Sequence, residues 1–183
     1  MRHLPNIVTC IRLAAAPFVA WLVADGLYRQ ALIVVVVAGL SDWLDGFSAR
    51  KLNASGKTGV ILDPMADKIL LVVLFVQLAL SNLIPVWMLA LAVTRDVVIV
   101  LGALLIRMVR NVRRFFPSIW GKVSTFFQIV LILMVLLEAA FPREILYALQ
   151  QTALFLSAFF TALSGVDYVR RGIEMLSRPA AAD

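Results

Sequence analysis

The chain has 183 residues, 62% of them hydrophobic and only 15% charged, with a formal net charge of +6. Soluble domains are nearer half apolar and a quarter charged, so this composition belongs to a membrane protein and excludes an ordinary water-soluble domain. The lone cysteine, Cys10, allows no internal disulfide and reads as a small packing residue in an apolar run.

A spanning helix needs about 20 mostly apolar residues. Six stretches meet that need, and they predict an all-α integral membrane six-transmembrane-helix bundle, one domain over residues 1–183. The first, 6–24, carries Arg12 inside its apolar run, which argues against a cleaved signal peptide. Asp25-Gly26 marks the turn after it. The second, 30–51, is followed by a tight polar loop and the third, 63–82. Pro85 marks the turn at the fourth, 84–107. The fifth is 119–141, and Pro142 turns the chain into the sixth, 144–169. No strand alternation and no internal repeat competes with this reading.

Six spans put both termini on one side. With the N-terminus inside, the inner segments hold Arg2, Lys51, Lys57, Arg107, Arg110, Arg113, Arg114, Arg170, Arg171 and Arg178, and the outer loops hold only Arg29 and Arg143. This bias predicts cytoplasmic termini. The net positive charge then meets anionic lipid head groups, and no nucleic-acid partner is expected. Trp87 and Trp120 fall near span ends and read as interface anchors.

Four aspartates interrupt the apolar pattern at the joined ends of the second and third spans: Asp42, Asp45, Asp63 and Asp67. The first two are three apart and the last two four apart, so each pair shares a helix face. Antiparallel neighbours would bring the faces together. Four ionised carboxylates repel unless some are protonated or cations sit among them. All-oxygen ligands suit Mg²⁺ or Mn²⁺, and two such ions would polarise a phosphate. Intramembrane acids also occur in proton or ion relays, so a transporter is the rival reading. Clustering at one interface, without a discontinuous helix pair, favours phosphoryl chemistry. Gly46 and Ala49 reduce bulk beside the first pair, and Arg50 suits a phosphate contact. The run Gly56-Lys57-Thr58 is not a P-loop, because the first glycine of that motif would fall at Lys51 and no strand precedes it.

The spacing Asp42-x2-Asp45-Gly46-x2-Ala49-Arg50-x8-Gly59-x3-Asp63-x3-Asp67 matches, without a gap, the signature of the CDP-alcohol phosphatidyltransferases. The chain resembles that family over most of its length. Pro5-Asn6-x2-Thr9-x2-Arg12 is similar to its opening, and Gly121-Lys122-x2-Thr125-x2-Gln128 to its fifth-helix segment. The resemblance implies a six-helix fold, a cytoplasmic active site in a bacterial-type inner membrane, and a homodimer. It implies that Asp42, Asp45 and Asp63 bind two Mg²⁺ or Mn²⁺ ions, with Asp67 completing the metal site and acting as general base. Gly46, Ala49, Arg50, Gly59, Asn6 and Thr9 would bind CDP-diacylglycerol. One position departs: Gly56 stands where family members often carry Ser or Thr.

The acceptor side is read from the second half. Arg95, inside the fourth span, is expected to face a polar cavity, since an isolated intramembrane arginine is expensive. With Lys122, Arg113 and Arg114 it would bind the acceptor's phosphate. The pattern looks most like the phosphatidylglycerophosphate synthase and cardiolipin synthase branches. Glycerol 3-phosphate is the preferred acceptor, because a basic cluster suits a phosphomonoester. Phosphatidylglycerol is the alternative.

Overall fold

The computed structural model describes residues 15–52, 59–110 and 118–177, the side chains of 41–52, 59–67, 107, 109, 110 and 176 excepted. The helices are α1 (Ala15–Ala24), α2 (Tyr28–Leu52), α3 (Gly59–Leu80), α4 (Val86–Arg110), α5 (Ile119–Ala140) and α6 (Glu144–Ser177). No strand occurs among the described residues. Helices suit this composition, because a helix satisfies its backbone polar groups internally, as hydrocarbon demands.

Three helical stretches are long and apolar enough to cross a membrane by length and composition: Val86–Ile106, Ile119–Ala140 and Glu144–Met175. Three more apolar stretches among the described residues are shorter: Ala15–Ala24, Tyr28–Leu40 and Lys68–Leu80. The expectation of six full spans is therefore met at three places. The shorter stretches of α2 and α3 stop at Leu40 and Lys68, where the residues with described side chains end, while the helices themselves run 25 and 22 residues.

Exposure is distributed as a bilayer requires. On α4, Val93, Val97, Val100, Leu101, Leu104 and Leu105 are exposed, while Arg95 is buried. On α6, Phe155, Phe159, Val166 and Val169 are exposed, while Ser157, Thr161 and Ser164 are buried. Such an apolar exterior around polar contacts would be a large sticky patch in water and is ordinary in lipid.

The chain divides into two compact units, residues 1–85 with 132–148 and residues 86–131 with 149–183. In the first unit, two helix ends are closed by the same device. Gly26 (φ 73°) follows α1; its N–H donates to Val23 O at 3.1 Å, and Leu27 N–H donates to Leu22 O at 2.8 Å. Asn82 (φ 56°) follows α3; its N–H donates to Ala79 O at 3.1 Å, and Leu83 N–H donates to Leu78 O at 2.9 Å. Both are left-handed Schellman caps, which satisfy the last carbonyls of a helix. The end of α5 is closed by a side chain instead. Arg29 Nε donates to Ala140 O at 3.3 Å, and its guanidinium lies 4.8 Å from the Phe141 ring centre. A cation there complements the negative end of the helix dipole.

The second unit is built on a buried polar seam between α5 and α6. Ser124 Oγ and Thr161 Oγ1 lie 3.1 Å apart, and Gln128 Nε2 donates to Thr161 Oγ1 at 3.2 Å. Stacked rings reinforce the seam: Phe127 and Phe160 are 4.6 Å apart at 10°. Interhelical hydrogen bonds and close ring packing replace the hydrophobic effect, which lipid does not supply.

Candidate functional site

The aspartate signature occupies the end of one helix and the start of the next. Asp42, Asp45, Gly46, Ala49 and Arg50 lie in the C-terminal part of α2. Gly59 opens α3, and Asp63 and Asp67 follow within its first turns. Helical rise places Asp42 and Asp67 about 15 and 12 Å from the joined ends, and Asp45 and Asp63 about 10 and 6 Å. The two acid pairs thus enter the two helices to similar depths. Both backbones are helical where the face-sharing argument needs them to be. The donor set is four carboxylates with no nitrogen or sulfur ligand at the signature positions, which fits a hard divalent cation. Their side chains lie outside the described residues, and so do Asn6, Thr9, Gly56, Arg113 and Arg114. Among the described residues no group of three His, Cys, Asp or Glu could hold a metal.

Arg95 is 6% exposed, and its guanidinium is bound on several sides. Nε and Nη2 donate to Ser164 Oγ at 3.2 and 2.9 Å. Nη2 also donates to Gly121 O at 3.4 Å, and Nη1 donates to Asp96 Oδ1 at 2.7 Å. The guanidinium carbon lies 5.9 Å from the Tyr168 ring centre, within cation–π range. The sequence argument placed this arginine toward a polar cavity; its described partners are Asp96 beside it on α4, Gly121 of α5, and Ser164 and Tyr168 of α6. Gly121 permits the approach. A Cβ there would lie 3.2 Å from both Arg95 Nη2 and Tyr168 Oη, a tight contact with two side chains already tied down. Lys122, the next residue, is exposed.

Three neighbours escaped the sequence reasoning. Ser118, just before α5, donates its hydroxyl proton to Asp167 Oδ2, and its N–H donates to Tyr168 Oη at 3.3 Å. Asp167 also pairs with Arg171 Nε at 3.0 Å, one turn along α6. An acid within an apolar helix was the available signal, and Asp167 falls near the end of the sixth span expected at 144–169. A polar recess of about 430 Å³ is lined by Asp167, Arg170, Arg171, Glu174 and Met175. A larger open groove of about 640 Å³, mostly apolar, runs along α4 and α6 past Thr94, Arg95 and Gly165.

Comparison with known proteins bears on both halves of this picture. The family model for CDP-alcohol phosphatidyltransferases matches residues 2–163. The chain is 32% identical over 183 residues to the CDP-diacylglycerol–glycerol-3-phosphate 3-phosphatidyltransferase of Aquifex aeolicus, covering 95% of this chain and 98% of that protein. The Bacillus subtilis protein of the same name is 28% identical over 191 residues, with 96% and 98% covered. Human cardiolipin synthase (CMP-forming) is 32% identical over 185 residues, covering 92% of this chain and 61% of the human protein.

Proposed function

Because the chain belongs to the CDP-alcohol phosphatidyltransferase family, and so is a CDP-diacylglycerol-dependent membrane enzyme, we propose that its acceptor is glycerol 3-phosphate. The observation that carries this choice is near full-length similarity to two proteins named for that acceptor. A second reading, phosphatidylglycerol as acceptor, is favoured by the equal identity to human cardiolipin synthase, of which the chain spans about three fifths.

Asp42, Asp45, Asp63 and Asp67 would hold two Mg²⁺ or Mn²⁺ ions at the ends of α2 and α3. When bound, the ions offset the charge of the diphosphate and of the departing nucleotide. Gly46, Ala49, Arg50 and Gly59, with Asn6 and Thr9, bind the CDP part of the donor. Asp67 takes the proton from the acceptor hydroxyl. The acceptor oxygen then bonds to the lipid-side phosphorus, the bond to the bridging oxygen breaks, and CMP leaves with that oxygen. Lys122, Arg113 and Arg114 hold the acceptor phosphate, with Arg95 bound to Gly121, the residue before Lys122. The helical bundle forms one functional domain, works as a homodimer, and lies in a bacterial-type inner membrane with both termini and the active site cytoplasmic.

Chelation tests the metal. EDTA should lower CMP release by at least about 100-fold, and Mg²⁺ or Mn²⁺ should restore it. Activity that survives exhaustive chelation would refute a metal site. The acceptor is tested by offering purified protein CDP-diacylglycerol with glycerol 3-phosphate, phosphatidylglycerol, serine or inositol phosphate in turn. Phosphatidylglycerophosphate is the expected product. Cardiolipin alone would establish the second reading. CMP release with no acceptor, and CDP-diacylglycerol left intact with all of them, are the outcomes that would remove the transferase assignment.

A further inference from the structure

We propose that Asp167 is a positioning residue for the acceptor: through Ser118 it fixes the first turn of α5, and with it Lys122. The inference rests on the acceptor reading of Lys122 given above.

A helix begins with N–H groups that have no partner in the helix, and a serine at the N-cap commonly serves one of them. Ser118 occupies the N-cap of α5, since its carbonyl accepts from Lys122 N–H at 3.3 Å. Yet its hydroxyl proton goes to Asp167 and its own N–H to Tyr168 Oη, both on α6. The start of α5 is therefore held by a neighbouring helix through contacts 49 and 50 residues away in sequence. Asp167 is itself held by Arg171. Its negative charge lies at the positive end of the α5 dipole, where a carboxylate is stabilising. A third tie comes from α4, as Arg95 Nη2 donates to the carbonyl of Gly121.

These contacts bracket one turn, Ser118 to Lys122. Ser118 is 1% exposed, so its link to Asp167 is shielded from competing water. Lys122 is exposed, and its long stem cannot by itself fix where its ammonium lies. The position of its backbone does that. Misplacement of a binding group by about 1 Å can cost on the order of 100-fold in rate. A loosened α5 start should thus be felt by the acceptor and not by the nucleotide, whose binding positions lie on other elements.

The test measures CMP release by the full-length protein in mixed micelles, varying glycerol 3-phosphate and CDP-diacylglycerol separately. Asp167→Ala should raise KM for glycerol 3-phosphate roughly tenfold or more, with kcat and KM for CDP-diacylglycerol within about threefold. Asp167→Asn keeps an oxygen that accepts from Ser118 and should bring the acceptor KM back to within about threefold of the parent. Hydrogen exchange should quicken at residues 119–122 in Asp167→Ala and stay unchanged in α3. An unchanged acceptor KM, an equal rise in both KM values, or an Asn variant no better than Ala overturns the proposal. If Asp167→Ala does not fold, Ser118→Ala removes the same link and must show the same split. If the parent releases no CMP with any acceptor, the functional reading fails instead, and the exchange measurement still decides whether Asp167 anchors α5.

Discussion

Asp67→Asn is expected to lower kcat for CMP release by roughly 10²–10⁴-fold while the protein still binds CDP-diacylglycerol. The substitution preserves size and keeps one oxygen on the side chain, so it disturbs shape and metal coordination little. What it removes is the capacity to accept a proton. Asp67 stands deepest in α3 of the signature acids, two turns past the opening Gly59. The other three acids give the control. Asp42→Asn, Asp45→Asn or Asp63→Asn should weaken metal affinity, so excess Mn²⁺ should partly restore turnover. Excess Mn²⁺ should not restore Asp67→Asn. Stopped-assay CMP release across a metal titration, with nucleotide binding followed separately, separates the two classes. Substantial turnover by Asp67→Asn would strip Asp67 of the base role.

Arg95→Leu should destabilise the second unit by roughly 2–3 kcal/mol. Four hydrogen bonds are lost, to Ser164, Gly121 and Asp96. The three that cross to α5 and α6 are of a kind that averages about 0.6 kcal/mol each in membranes, roughly 1.8 kcal/mol together, which accounts for most of the total. The remainder comes from leaving the fully buried hydroxyl of Ser164 without its donor. Arg95→Lys should recover little, because one ammonium cannot span Ser164, Gly121 and Asp96 as a planar fork does. Equilibrium unfolding in mixed micelles measures both variants. Ser164→Ala combined with Arg95→Leu should cost much less than the sum of the separate losses, since the residues act as one unit. Additive losses would mean that the hydrogen bonds do not couple them.

Much of the helical plan was legible in sequence because apolar runs and turn residues agree. Asp25-Gly26, Pro85 and Pro142 each fall at a helix break, and Gly26 adopts the left-handed conformation that its residue type permits. Asn82 closes α3 in the same conformation without having been singled out, since asparagine is only an occasional residue there. The sixth helix runs to Ser177, beyond the expected end at 169. Hydropathy fades at Asp167, but the helix continues on i,i+4 ion pairs, Asp167 with Arg171 and Arg170 with Glu174. At the site, the order of acids along α2 and α3 was readable, because local spacing encodes which helix positions repeat. The surroundings of Arg95 were not. Its partners Ser164 and Gly121 lie 69 and 26 residues away, and nothing in local periodicity reports a contact of that range.

The 34 residues of α6 measure about 51 Å by helical rise, some 20 Å more than the hydrocarbon they must cross. Its first two acids, Glu144 and Asp167, stand about 35 Å apart along that rod. They act as a pair of floats, one at each waterline. Sliding the rod by a turn in either direction would draw a carboxylate into hydrocarbon, at a cost of a few kcal/mol. The rod therefore has one comfortable draught. Through Ser118, the start of α5 is moored to that same level, so the depth of Lys122 is tied to the thickness of the membrane itself.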